Sequence, residues 1–289
     1  MPTKIEKDDV TGRMTTGHEW DGIKELNQPL PRWWLYILWA TVAWAVVYCV
    51  LYPSVPGITG YYHGLIGYFQ RDAVDADVAA VAKQRAGAMD RIRTLSFAQI
   101  RSDPDLFAVA QSAGRITFAE NCQPCHGAGG GGNPGYPALA AGNWLWGGKL
   151  EDIDQTVTFG IRSGLDNARV SQMPRFGADS ILKPAEIQAV ADYVAGLYGL
   201  PGAATNSIEG KRVFAENCAV CHGDAGQGNR DVGGARLAAR VHLHGDDRAA
   251  ILAQINNPRM GVMPNWNTRL DEAKIKSVVL YVHSLGGGE

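Results

Sequence analysis

The sequence predicts an all-α chain in which a single transmembrane helix is followed by two tandem helical domains of one design. Three observations predict it. Trp33 to Tyr52 is an uncharged apolar run, the later two-thirds of the chain contain a segment that occurs twice, and each copy closes on apolar residues at helical rather than alternating spacing. The balance of 27 basic against 29 acidic residues leaves a net charge of −2, which disfavours nucleic acid as a partner.

Residues 1–32 form a polar amino-terminal segment, and residues 33–52 follow as the span. At helical rise that run is about 30 Å long, the thickness of the hydrocarbon layer. Tryptophan and tyrosine at its two ends suit the interfacial belts, and Pro53 and Pro56 stop the helix beyond it. A cleavable signal peptide would have a shorter apolar core, starting sooner and ending at a small-residue cleavage site, so the segment reads as a permanent anchor. Lys4, Lys7, Arg13, Lys24 and Arg32 precede it, whereas Arg71 is the first basic residue after it. The amino terminus is therefore expected in the cytoplasm and the remainder across the membrane.

Residues 53–111 read as an interfacial segment and a helical linker. Ile58 to Phe69 is apolar but too short and glycine-rich to span again. Residues 72–100 carry Val74, Val78, Val81, Ile92 and Leu95 at helical spacing, which suits either a docking helix or a spacer. Asp103-Pro104 has the form of a cap and first turn opening the next helix.

The repeat begins there. Gly114-Arg115-Ile116-Thr117-Phe118-Ala119-Glu120-Asn121 leads into Cys122-Gln123-Pro124-Cys125-His126, and Gly210-Lys211-Arg212-Val213-Phe214-Ala215-Glu216-Asn217 leads into Cys218-Ala219-Val220-Cys221-His222. Downstream, Gln172-Met173-Pro174-Arg175-Phe176 matches Val262-Met263-Pro264-Asn265-Trp266. Ile187, Val190, Tyr193, Val194 and Leu197 then match Ile275, Val278, Tyr281, Val282 and Leu285. Pro184 suits a first helical turn and Asp271 a cap. The copies are residues 112–200 and 205–289, joined through Leu200-Pro201-Gly202-Ala203-Ala204-Thr205-Asn206-Ser207.

Each Cys-x-x-Cys-His is the attachment signature of a c-type haem. Two thiols three positions apart can form thioethers to the two vinyl groups of one porphyrin while the adjacent imidazole reaches its iron. A zinc site would close its cysteine pairs within a short loop, and a redox disulfide would follow a strand; neither context is present. The motifs imply two covalently bound haems c, at Cys122 and Cys125 and at Cys218 and Cys221. Of five cysteines only Cys49 remains, inside the apolar run.

The order helix, haem motif, loop, methionine, helix resembles class I cytochromes c, so the second and third parts of the chain are expected as two tandem class I cytochrome c domains. The resemblance implies an axial pair for each iron, His126 with Met173 and His222 with Met263. Met/His ligation raises the potential, and two filled axial positions suit electron transfer rather than oxygen activation. Met260 competes with Met263 but lacks the following proline. His242 and His244 stand at the repeat positions of Trp144 and Trp146 and read as solvated loop residues rather than ligands. Gly135-Tyr136-Pro137-Ala138-Leu139 and Gly233-Gly234-Ala235-Arg236-Leu237 are placed to offer a backbone carbonyl to each ligand imidazole, or are ordinary turns.

Gly17-His18-Glu19-Trp20-Asp21-Gly22-Ile23-Lys24-Glu25-Leu26-Asn27-Gln28-Pro29-Leu30-Pro31-Arg32-Trp33-Trp34 resembles the amino-terminal signature of the dihaem subunit P of cbb3-type cytochrome c oxidases. That resemblance implies a chain in the bacterial inner membrane with its haem domains in the periplasm. It would carry electrons and have no catalytic residues of its own. The implied partners are a haem-copper catalytic subunit, a monohaem c subunit, membrane lipid, and a soluble cytochrome c or quinol-oxidising complex as donor. Two other readings use the same motifs: a cytochrome subunit of a periplasmic dehydrogenase, and a haem-based sensor, which would need an open iron site and an output module.

Overall fold

The computed structural model describes residues 4–201, 203, 207–239 and 241–289; Gly202 and Ala204 to Asn206 of the expected linker lie outside the described residues. The contacts divide the chain into two units, residues 1–83 and 84–289.

The first unit opens on an element that the polar reading of residues 1–32 did not anticipate. Strands β1 (Thr15–Trp20) and β2 (Ile23–Leu26) pair antiparallel, with Trp20 opposite Ile23. The turn between them is Asp21-Gly22, both at positive φ (49° and 85°), the backbone that a two-residue hairpin demands and that Asp-Gly supplies. The chain is otherwise mostly helical. Helix α1 (Arg32–Leu51) starts after Pro31 and has no charged residue beyond Arg32 and no buried side chain, as an anchor meeting lipid should. Ile58 to Phe69 forms no helix. It folds back on the end of α1, where Leu65 and Ile66 N–H donate to the Val50 and Leu51 carbonyls at 3.0 and 3.1 Å.

Helix α2 (Gln70–Thr94) runs across the boundary between the units. Val74 and Val78 in its first half are exposed, while Ile92 is fully buried in the second unit beside Ala88, Met89 and Leu95. The end of the presumed linker is thus core. Helix α3 (Phe97–Ser102) carries a Ser96/Gln99 capping box, and α4 (Pro104–Asn121) is capped by Asp103, whose carboxylate accepts from Leu106 N–H at 3.1 Å. Ile100 and Leu106 join the same core as Ile92, so the body that carries the first Cys-x-x-Cys-His motif begins before residue 112.

One-turn α5 (Gln123–His126) follows, then α6 (Leu150–Phe159) and α7 (Pro184–Leu197). The second copy supplies α8 (Ile208–Asn217), one-turn α9 (Ala219–His222), α10 (Arg248–Asn256) and α11 (Glu272–His283). Caps read from sequence recur here: Pro184 opens α7, and the Asp271 carboxylate accepts from Lys274 N–H at 2.9 Å.

The two copies exchange their closing halves. α4 packs on α11 and α8 on α7; likewise α6 meets α11 and α10 meets α7. One hydrophobic core joins Leu106, Phe118, Ile153 and Val157 of the first copy to Val278, Val279 and Leu280 of the second. The other joins Val213, Phe214, Ile251 and Ile255 of the second copy to Ile187, Val190 and Val194 of the first. Intervals 112–200 and 205–289 thus each contribute to both cores. The core of body one draws on residues 88–157 and on Met263 onward, with Ile161 bridged to Met263, and that of body two on residues between Met173 and Ile255. The reason is chemical identity at the crossing. A Cβ on Gly114 would collide with the Ser277 carbonyl and Tyr281, and one on Gly210 with the Ala189 carbonyl and Tyr193. Phe118 lies 5.4 Å from Tyr281 and Phe214 lies 5.2 Å from Tyr193, at nearly the same tilt. Either closing helix fits either opening helix, and α7 and α8, joined by residues 198–207, pack as sequential neighbours usually do.

A protease site placed within residues 202–206 tests the exchange. Cleavage is expected to leave residues 1–201 and 207–289 in one complex that separates only in denaturant on size-exclusion chromatography; release of a free carboxy-terminal cytochrome would refute it.

Candidate haem sites

Each attachment motif is a single helical turn at the end of the opening helix. Cys125 and His126 N–H donate to the Cys122 carbonyl at 3.1 and 2.8 Å; Cys221 and His222 N–H donate to the Cys218 carbonyl at 3.1 and 2.9 Å. The turn brings two thiols and one imidazole to one side, and all four thiols are free of disulfides. Burial pushes the Cys122 and Cys218 thiols up to about 11, with the neighbouring Cys125 and Cys221 adding to it.

The proximal loops do what the sequence expected of them. His126 Nδ1 donates to the Pro137 carbonyl at 3.0 Å, and His222 Nδ1 to the Ala235 carbonyl at 2.7 Å. A carbonyl can only accept, so each Nδ1 carries the proton and each Nε2 keeps its lone pair for a metal. Burial holds both imidazoles below the ordinary histidine range, against the opposing effect of these bonds, and so favours the neutral, ligating form. Both loops close alike, through Gly132 N–H on the His126 carbonyl and Gly228 N–H on the His222 carbonyl, each at 2.7 Å.

The methionines are where the structure departs from the resemblance. Met263 packs against the core that contains Cys122, and Met173 against the core that contains Cys218. The exchange of closing halves thus places Met263 by the core of the His126 motif and Met173 by that of the His222 motif, whereas the resemblance implied His126 with Met173 and His222 with Met263. Met263 is also anchored to body one by reciprocal 3.0 Å backbone bonds with Ile161, at the end of α6. Met260 is exposed and belongs to neither core.

His242 is not the solvated loop residue the sequence suggested. Its side chain is 7% exposed, and its ring stacks on Tyr198 with centroids 3.4 Å apart. Nδ1 lies 2.7 Å from the Asp246 carboxylate and Nε2 lies 3.1 Å from the Leu237 carbonyl, so both nitrogens have partners within the protein. Burial pushes the Tyr198 hydroxyl up to about 12, with Asp246 adding to the shift. Trp144, its repeat equivalent, donates through Nε1 to the Gly287 carbonyl. Each thus seals its body against the residues that follow the closing helix.

The two bodies meet on their proximal sides. Gly135 N–H donates to the Leu243 carbonyl at 3.0 Å, Asn143 to the Val241 carbonyl at 3.2 Å, and the Trp146 ring lies against Gly233. Sequence reasoning missed one residue at this side. Arg169 stacks over Trp146 with its guanidinium carbon 5.3 Å from the ring centroid, and reaches Asp152 at 3.4 Å. Among the described residues, its Nε is buried with no partner. The available signal was the repeat, because Arg169 stands four positions before Met173 just as Arg259 stands four before Met263.

Paired thiols one turn apart, a neutral imidazole with a free Nε2, a thioether in the same core and an orphaned cationic donor all fit a haem with its propionates. Together with the helical bodies they define a membrane-anchored c-type cytochrome. The family profile described as "N-terminal domain of cytochrome oxidase-cbb3, FixP" matches residues 12–59, and that described as "Cytochrome C oxidase, cbb3-type, subunit III" matches residues 109–194 and 206–282. The chain is 47% identical to the cbb3-type cytochrome c oxidase subunit FixP of Bradyrhizobium sp. (strain ORS 278), over all of both chains. It is 48% identical to the subunit CcoP of Cereibacter sphaeroides over 95% of each. The chain belongs to the FixP/CcoP family of cbb3-type cytochrome c oxidase subunits.

Replacing His242 by Phe keeps the stack on Tyr198 but strands the Leu237 carbonyl, a loss of about 1–3 kcal/mol for a buried acceptor. Denaturant titration followed at the haem bands is expected to show that loss with unchanged spectra in the folded protein; altered axial-ligand bands in His242→Phe would instead make His242 a ligand.

Proposed function

We propose that this chain passes electrons through two covalently attached haems c to the oxygen-reducing subunit of a cbb3-type oxidase, and has no catalytic residue of its own. The observation that carries the reading is the twice-built site, in which an oriented imidazole and a thioether from the other repeat copy share one core. A haem c supplies a one-electron couple. Cys122 and Cys125 would hold the first and Cys218 and Cys221 the second, with His126 and Met263, and His222 and Met173, as the ligands of the respective irons. Thioether sulfur would favour reduced iron and two protein ligands would leave no place for oxygen, so the residues favour transfer over activation.

Helix α1 holds the chain in lipid of the bacterial inner membrane with the amino terminus in the cytoplasm, following the basic residues before it. The haem bodies then stand in the periplasm, with the catalytic haem-copper subunit and a monohaem c subunit as partners. Electrons arrive from a soluble cytochrome c or a quinol-oxidising complex at body two and leave through body one, the body whose chain continues into α2 and the anchor. The contacts of Gly135 with Leu243 and of Trp146 with Gly233 offer the path between them. Deleting residues 205–289 could not test that direction, because it would also take Met263 and α11 from body one.

Affinity isolation of the tagged chain from membranes is expected to bring haem b and copper with it, and acid-acetone extraction should leave two porphyrins on the polypeptide. Met263→His and Met173→His should each lower one midpoint in a redox titration, whereas Met260→Leu should lower neither. Porphyrin lost to the acetone phase, or a preparation without copper, would contradict the reading.

A further inference from the structure

Arg169 holds a buried charge whose hydrogen bonding is incomplete. Its side chain is 16% exposed and, among the described residues, its Nε is the buried side-chain polar atom left without a partner. Trp146 covers one face of the guanidinium, and Asp152 occupies only Nη2. A buried donor without an acceptor is costly, more so on a charged group, and persists where an acceptor from outside the chain completes it.

The backbone places Arg169 near the candidate ligand Met263. Arg169 N–H donates to the Gly160 carbonyl at 3.0 Å and its carbonyl accepts from Arg162 N–H at 2.8 Å, which lays the residue along Ile161. The other edge of Ile161 holds Met263. Two inter-strand spacings separate Arg169 from the methionine backbone, about 10 Å, a distance that an arginine side chain and the edge of a porphyrin together cover. A planar fork with a free Nε edge matches a carboxylate in two parallel bonds.

We propose that Arg169 holds a propionate carboxylate of the haem attached at Cys122 and Cys125, and that its charge raises the potential of that haem above that of the other. The assignment rests on the reading that a haem is attached there. Among the described residues, the second copy has no counterpart in this state. Arg259 is exposed, its Nη2 donates to the His244 carbonyl at 3.2 Å, and His244 replaces the tryptophan under which a cation could be buried. A cation beside the porphyrin opposes the extra positive charge of ferric iron, so it favours the reduced form. With the haem of body one more readily reduced than that of body two, electrons entering at body two would run downhill into body one.

The test uses the full haem-loaded chain in its oxidase complex. In a potentiometric titration Arg169→Gln is expected to lower one of this chain's two midpoints, by about 59 mV for each tenfold loss in the reduced-to-oxidised equilibrium. It should leave the other where it was, and Arg169→Lys should recover part of the drop. A map of the loaded wild-type complex should place the guanidinium within hydrogen-bond distance of a propionate on the haem bonded to Cys122. Unmoved midpoints, or an Nε satisfied only by water with both propionates held elsewhere, overturns the proposal. A Cys122 without porphyrin in the same map would separately remove the attachment reading and the assignment with it.

Discussion

The close crossing of an opening helix from one repeat copy with a closing helix from the other is the contact on which both haem sites depend. At Gly114 and at Gly210 the backbones touch with no side chain between them, and rings of Phe118 and Tyr281, or Phe214 and Tyr193, wedge the crossing beside it. Val278, Val279, Leu280 and Phe118 are all at most 2% exposed, and burial of side chains of this size stabilises by roughly 1.5–3 kcal/mol each. Because each crossing joins the two copies, neither body is complete until both copies are made. Thermal or chemical damage to one crossing removes the methionine of one site and strains the connection to the other. The exchange thus couples two electron-transfer centres mechanically.

That coupling has a functional side. A redox centre works at its fastest when its ligands move little between oxidation states, and the candidate ligands here are held from two directions. Pro137 and Ala235 hold the imidazoles by main-chain carbonyls, which no side-chain rotation can withdraw. Met263 is fixed by a reciprocal backbone bridge to Ile161. The imidazole and the thioether of one site come from different copies, so the site is clamped across the exchange rather than hung from one flexible loop.

Much of this was legible in the sequence. The apolar helix, the caps at Asp103 and Asp271, the first turn at Pro184 and the carbonyl acceptors of the proximal loops were all read from local chemistry, because each depends on residues close in sequence. The exchange was not, for a physical reason: a pattern of Gly, Phe and Tyr that repeats perfectly specifies which surfaces meet but not which copy supplies them. Asp21-Gly22 was a hairpin signal hidden in a polar stretch, overlooked because the flanking strands are short. His242 misled because a histidine in a glycine-rich loop is usually solvated, whereas this one has both nitrogens satisfied and a tyrosine beneath it. The buried end of α2 was half visible, since Ile92 and Leu95 continue the stripe of Val74 and Val78 but only the later pair meets a core.

The differences between the copies carry more functional information than their likeness. Where body one has Trp144 and Trp146, body two has His242 and His244, and that pair of substitutions changes the environment from two large apolar rings to two polar ones. Trp146 provides an apolar roof under which Arg169 is buried; His244 provides none, and Arg259 is left at the surface. His244 itself is held below the ordinary histidine range, by burial first and by the Arg259 charge second, which keeps it from supplying a replacement cation. A repeat that duplicated two identical haem sites would give electrons no preferred direction. Histidine in place of tryptophan at two positions, with the candidate ligands kept in both copies, is a small sequence difference that would leave coordination alike and make the surroundings of the two sites unequal, which is what the proposed directional transfer through one chain requires.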